Sequence, residues 1–194
     1  METYDPDGEL VRQAGAGDRG AATALVRKHL GRIKGVAQRM LGDPAEAEDV
    51  AQEVFLRAWR EAPKWKPGQA KFETWMHRVA LNLCYDRLRR RRETPDAEAG
   101  LMVADPAQGA DEAWLARQRA ARVSEAMRKL PERQRAAITL CHLQEMSNID
   151  AAAALEVSVE ALESLLSRGR RALKAALADV AGDLMGPLGE GEAV

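Results

Sequence analysis

The stretch Ala47-Glu48-Asp49-Val50-Ala51-Gln52-Glu53-Val54-Phe55-Leu56-Arg57-Ala58-Trp59 decides the fold. Its apolar residues are Ala47, Val50, Ala51, Val54, Phe55, Ala58 and Trp59, a strict three-and-four spacing that gathers them on one face of a helix. The opposite side carries Asp49, Gln52, Glu53, Leu56 and Arg60. A leucine among those charges is unusual for a face that meets only water, and contact with a partner would explain it.

The same periodicity extends outward on both sides. Upstream, Asp18 suits the cap of a helix running toward Leu41, and Gly42-Asp43-Pro44 ends that helix and starts the next. Downstream, Pro63 to Gly68 breaks the pattern, and Phe72, Trp75, Met76, Val79, Ala80 and Leu83 resume it. This second helix has a polar stripe at four-residue spacing, Arg78, Asn82, Asp86 and Arg90, and ends in Asp86-Arg87-Leu88-Arg89-Arg90-Arg91-Arg92. Lys64, Trp65, Lys66 and Lys71 lie just before it. Basic residues interleaved with aromatics offer single-stranded nucleic acid both phosphate neutralisation and a stacking platform. Trp75 belongs to the apolar stripe and reads as core. Trp65, in a Pro/Gly loop, fits either a core or a stacking role.

From Glu93 to Ala113 the character changes. The segment has no Lys or Arg, and it holds Glu93, Asp96, Glu98, Asp105, Asp111 and Glu112 together with Pro95, Pro106 and two glycines. Such a composition predicts a flexible acidic linker rather than a loop inside one domain. Helical signals return at Trp114 and run to about Asp179. Pro131 suits a first helical turn. Ser147-Asn148-Ile149-Asp150 resembles a capping box with aspartate in the place of glutamate, and Ser158 can cap the following helix. Between them an Ala-rich helix, Asn148 to Leu155, and a turn, Glu156 to Ser158, lead into a long helix with an inner stripe of Leu162, Leu165, Leu166, Gly169, Leu173 and Leu177. Its outer side carries Glu160, Glu163, Ser164, Ser167, Arg171 and Lys174, flanked by Arg168 and Arg170. This is a helix-turn-helix pattern whose second helix can enter a major groove, although a plain helical bundle with a charged surface could share it.

Composition supports an all-α chain. Aromatic residues make up 4% of its 194 residues, β-branched residues are few, and Ala, Leu, Arg and Glu dominate. The predicted organisation is two small helical domains, residues 8–92 and 114–179, joined by the linker 93–113 and followed by a disordered tail, 180–194. The formal net charge of -1 says nothing about partners. Cys84 and Cys141 form no paired motif, which fits a reducing compartment. Met1 to Leu10 is acidic and lacks the apolar core of a secretory leader, and no run approaches the roughly 20 apolar residues of a membrane span. The expected location is the cytoplasm. No glycine loop for phosphates, no metal-ligand pair and no catalytic constellation stands out. His29, His77 and His142 are scattered, and Cys141 and His142 point about 100° apart on a helix. Neither an enzyme nor a cofactor is expected.

Taken together, these motifs resemble the extracytoplasmic-function sigma factors over nearly the whole chain, about Gly8 to Leu177. Ala45 through Trp59 resembles the family's polymerase-binding helix. Phe72 through Asn82, followed by Asp86 through Arg92, resembles its promoter-melting, minus-ten-reading segment. Leu130-Pro131-Glu132-Arg133-Gln134-Arg135 resembles the opening of its minus-thirty-five domain, and Ser158 through Leu173 its recognition helix. The resemblance implies a promoter-recognition subunit of RNA polymerase, stress-responsive and controlled by an anti-sigma factor. Asp49, Gln52, Glu53, Leu56 and Arg60 would dock on the clamp helices of the largest subunit. Lys64, Trp65, Lys71, Arg78, Asn82, Asp86, Arg89 and Arg90 would handle minus-ten DNA, with an unpaired base held beside the loop before Phe72. The second domain would sit on the flap of the second-largest subunit, and Glu163, Ser164, Ser167, Arg168, Arg170, Arg171 and Lys174 would meet the minus-thirty-five duplex. Glu156 departs from the family, which often has glycine in this turn; a left-handed residue there costs about 1 kcal/mol or more. Glu163 departs too, standing where a basic residue is common. Two other readings share parts of the pattern. A sigma mimic that only sequesters an anti-sigma partner would not need the basic runs, and a stand-alone helix-turn-helix regulator would not need the Asp49 to Glu53 face.

Overall fold

The computed structural model describes residues 4–66, 68, 70–93 and 111–184, and their regular structure is helical. The helices are α1 (Gly8–Gly15), α2 (Arg19–Leu41), α3 (Pro44–Glu61), α4 (Phe72–Glu93), α5 (Asp111–Lys129), α6 (Glu132–Ile138), α7 (Asn148–Leu155) and α8 (Val159–Leu184). A 3₁₀ turn, Ala62–Lys64, follows α3, and a π turn, Thr139–Leu143, extends α6.

Local chemistry sets most of the boundaries. The Asp18 carboxylate accepts from the amides of Gly20 and Ala21 at 2.7 and 3.0 Å, satisfying donors that the first turn of α2 leaves free. Gly42 closes α2 in the left-handed region at φ 74°, where glycine pays no Cβ penalty. Asp43 then caps α3, whose first residue is Pro44. Ser147 caps α7 and exchanges hydrogen bonds with Asp150, and Ser158 Oγ accepts from Ala161 N at 3.2 Å. Pro131 differs from expectation: it stands at the N-cap of α6, with extended ψ, rather than inside the first turn.

The apolar stripes turn inward as their spacing predicts, although Trp59, Trp75, Val79, Leu165, Leu173 and Leu177 are only half-buried. Val50, Val54 and Ala58 of α3 meet Leu25, Ile33, Val36 and Met40 of α2 and Phe72, Met76 and Ala80 of α4 in one core. In the second half Leu162 and Leu166 of α8 close on Ala136, Ala137 and Ile138 of α6 and on α7. Gly169 lets α6 approach α8: a Cβ there would lie 2.8 Å from Ile138 Cδ1 and 3.4 Å from Gln134 Cβ.

Three findings differ from the predicted organisation. Glu93 completes α4, and Asp111 to Ala113 open α5, so the interval between helices is shorter than 93–113; the predicted flexibility falls on residues 94–110, outside the described residues. Helix α8 continues to Leu184, past the expected end of the second domain, and the rest of the predicted tail is also outside the described residues. Most consequentially, the two halves pack on each other. Helix α7 lies against α4 as well as α8, α6 lies against α2, and buried apolar residues of both halves form one cluster. The small side chains of Ala151, Ala152 and Ala154, all buried, permit this close approach on more than one side.

A buried polar node anchors the N-terminal end. Asp7 is 1% exposed, and its carboxylate takes Lys28 Nζ at 2.5 Å and His29 Nε2 at 2.8 Å. Burial acts to raise the carboxyl pKa, but the hydrogen bonds and charges of His29 and Lys28 outweigh it and hold the group below its usual value. A depressed acid contributes stability above its unfolded pKa of about 3.9 and loses it as pH falls through the lower folded value. Asp7→Asn is therefore expected to lower stability by about 1–3 kcal/mol at neutral pH and to flatten the acid limb of unfolding below about pH 4. Thermal unfolding across pH checks both parts; an unaltered acid limb would assign the acid sensitivity to other carboxylates.

Candidate nucleic-acid interface

On α3 the helical phase leaves Asp49, Gln52, Leu56 and Arg60 exposed, and Glu53 half-buried with its carboxylate 2.8 Å from Arg57 Nε. Leu56 is 51% exposed beside these charges. The hydrogen bond and charge of the Arg57 guanidinium hold the Glu53 carboxyl pKa below its usual value.

Helix α4 presents Arg78, Asn82, Arg89 and Arg90 as exposed side chains along one side, with Asp86 half-buried among them. Asp86 accepts from Arg89 Nη2 at 2.9 Å. The arginine run divides by helical phase. Arg91 turns inward, donating to the Leu41 carbonyl at 3.0 Å and pairing with Glu46 at 2.9 Å, whereas Arg90 has no ion-pair partner among the described residues. Arg91 therefore ties α4 to the end of α2 and the start of α3, a role that a run of like residues conceals. Before α4, Lys64 is exposed and Lys71 half-buried. Trp65 is half-buried, with its ring edge-on to Phe72 at 4.9 Å and to Trp75 at 6.0 Å, and Phe72 stacks with Trp75 at 5.4 Å. The Trp65 indole Nε1 is buried without a hydrogen-bond partner.

In the second half α7, the turn at Glu156 and α8 form a helix-turn-helix. Glu163, Ser167, Arg168, Arg170, Arg171 and Lys174 are exposed on α8, and Ser164 is half-buried. The four cations form a basic stretch C-terminal to a turn that carries Glu160 and Glu163. Cys84 is buried, which pushes its thiol up to about 12, and partial burial also raises Cys141. Both thiols stay protonated and weakly nucleophilic. His29 and His77 are buried, the latter donating from Nδ1 to the Glu73 carbonyl at 2.9 Å, and His142 is exposed.

Polar contacts also join the halves, and sequence reasoning missed them. Asp150 holds Lys71 Nζ at 2.6 Å and accepts from Thr74 Oγ1 at 3.4 Å; these donors and Ser147 lower its carboxyl pKa despite the opposing effect of burial. Arg78 pairs with Glu156, and Arg32 donates to the Gln144 carbonyl. Arg135 is 7% exposed, and its guanidinium donates to the carbonyls of Met40 at 2.5 Å, Arg128 at 2.8 Å and Leu130 at 3.2 Å. Only phase could have flagged Arg135: it lies three residues before Ile138, on the buried side of α6.

Comparison with known proteins places this geometry. The Sigma-70 region 2 family model matches residues 25–94, and the Sigma-70, region 4 model matches residues 120–173. The RNA polymerase sigma-H factor of Pseudomonas aeruginosa is 32% identical, with 91% of this chain and 96% of that protein covered. The ECF RNA polymerase sigma factor SigW of Bacillus subtilis is 33% identical over 88% of this chain and 96% of its own. Among solved structures, CnrH in complex with the cytosolic domain of CnrY superposes with a TM-score of 0.71 at 30% identity, covering 90% of this chain and 99% of that one.

Proposed function

Since this chain belongs to the extracytoplasmic-function sigma factors, non-enzymatic subunits that direct RNA polymerase to promoters, we propose how its surfaces divide that work. Residues 8–92 act as the domain that binds core polymerase and opens the minus-ten element, and residues 114–179 as the domain that reads the minus-thirty-five duplex. The face of Asp49, Gln52, Glu53, Leu56 and Arg60 docks on the clamp helices of the largest subunit, and the second domain rests on the flap of the second-largest. Among the described residues no helix is long and apolar enough to cross a membrane. The protein works where polymerase does, in the cytoplasm, and an anti-sigma factor restrains it until a stress signal arrives. The similar protein CnrH is solved in complex with the cytosolic domain of CnrY, which supports control by a bound protein partner.

The observation that carries this reading is the exposed stripe on α4. Asn82 offers a base edge both a donor and an acceptor, and Arg78, Arg89 and Arg90 beside it offer only charge and donors. Lys64, Lys71 and Trp65 lie at the entry to the same stripe, and Asp86 orients Arg89. Asn82 therefore specifies and the arginines position. With core polymerase on a promoter library, Asn82→Ala is expected to relax preference at one minus-ten position. Replacing Arg89 and Arg90 should weaken binding on all sequences and flatten its salt dependence. Equal sequence preference for Asn82→Ala and the parent would remove Asn82 from the reading surface.

A further inference from the structure

Glu156 adopts φ 54° and ψ 47° in the turn before α8, one of two non-glycine residues with positive φ among those described. Glycine would hold that conformation without the steric cost a β-carbon brings. Unlike Glu145, the other such residue, Glu156 has a side-chain partner that offsets this cost. Facing DNA, a carboxylate in a helix-turn-helix turn meets phosphates and is repelled. Facing α4, it meets Arg78. The second pair follows the same logic one turn of α4 earlier, where Lys71 and Thr74 hold Asp150 at the start of α7. On both sites an acid from the second half occupies a cation that the reading above assigns to minus-ten DNA.

We propose that this chain restrains itself: Asp150 and Glu156 act as phosphate substitutes that latch the minus-thirty-five domain onto the entry of the minus-ten face. The inference rests on the assignment of Lys71 and Arg78 to promoter DNA. The latched form cannot initiate transcription. Helices in contact lie about 8–10 Å apart, whereas elements about 25 base pairs apart lie roughly 85 Å apart along a duplex at 3.4 Å per pair. The number of residues between α4 and α5 bounds the reach between those helix ends at about 60 Å, and the widths of the two domains cover the remainder of the span. The latch is also made to open. The Arg78 and Glu156 side chains are 46% and 49% exposed, so salt screens their pair, and polymerase or DNA can compete for each partner. Asn82, Arg89 and Arg90 remain exposed in the closed form, so nucleic acid can engage the free end of the stripe and displace the acids stepwise.

The test uses the full chain, free in solution and with core polymerase. Glu156→Gly removes the carboxylate and suits the turn, so loss of folding is not an issue. Small-angle X-ray scattering of the free parent should give a compact particle, and E156G a larger average radius of gyration at low salt, because the open fraction rises by about two- to fivefold while the buried contacts between the halves remain. With core polymerase, E156G should bind a forked promoter DNA about two- to fivefold more tightly, because less of the protein is held closed. Exchanging the charges, Arg78→Glu with Glu156→Arg, should restore the compact particle. A parent already extended, an E156G particle as compact as the parent, or a charge exchange that stays open would each overturn the latch. An extended E156G that binds promoter no better would overturn masking of the DNA face. Failure of the underlying reading is separate: it would appear as Arg78→Ala binding every promoter as the parent does, whatever the scattering.

Discussion

Alanine at positions 49, 52 and 53 together should weaken core polymerase binding roughly thirtyfold or more while leaving thermal unfolding unchanged. The fold should survive because none of the three side chains reaches the core. Asp49 and Gln52 are exposed, and Glu53 has its hydrogen bond to Arg57 within the same helix. Alanine is also the best helix former, so α3 loses nothing in propensity. The binding effect should be large because these residues surround Leu56, a half-exposed leucine whose burial against a partner would be the apolar centre of the contact. Affinity measured by competition against another sigma factor reads the effect directly. Unchanged affinity in the triple variant would remove this face from the polymerase contact.

The second large effect concerns promoter choice. Glu163→Arg should change which minus-thirty-five sequences are used, by roughly five- to a hundredfold at one position, because glutamate accepts from a cytosine amino group whereas arginine donates to a guanine edge. Ser164 beside it can bond to several bases and tunes the same position. Arg168, Arg170, Arg171 and Lys174 lie farther along the exposed side of α8, with Ser167 between the two groups, and suit flanking phosphates. Arg171→Ala should therefore lower activity on all promoters by a similar factor and reduce the salt slope by about one. A promoter library transcribed with each variant separates specificity from affinity. An unaltered preference with Glu163→Arg would mean that Glu163 meets phosphate or solvent and that the reading face is rotated by about a quarter turn.

The helices were legible because their ends depend on neighbours in sequence. Asp18, Gly42, Asp43, Ser147 and Ser158 each perform the capping or stopping role that their residue type allows. The stripes on α3 and α8 were legible because periodicity and burial share one cause. Contacts between the halves were not. Nothing local tells Asp150 to bind Lys71, 79 residues away, or Arg135 to seek the Met40 carbonyl, 95 residues away. Glu156 was visible as an oddity in its turn, but its reason lies across the molecule in Arg78. The arginines at the end of α4 illustrate the same limit at short range: composition treats them alike, while helical phase sends Arg91 inward and leaves Arg90 outside.

The aromatic group at the entry to α4 has an optical consequence. The indoles of Trp65 and Trp75 lie 6.0 Å apart with their planes inclined by 62°, and Phe72 lies against both. Two chromophores so close and so inclined share their excited states and rotate polarised light as a pair, with a split signature that a lone tryptophan lacks. One partner sits in the loop and the other within the helix, so their coupling records how the loop lies on the helix. That loop borders the place where the first unpaired base is expected. The free protein therefore carries an unlabelled spectroscopic gauge of that loop, one that circular dichroism reads and that Trp65→Phe should remove.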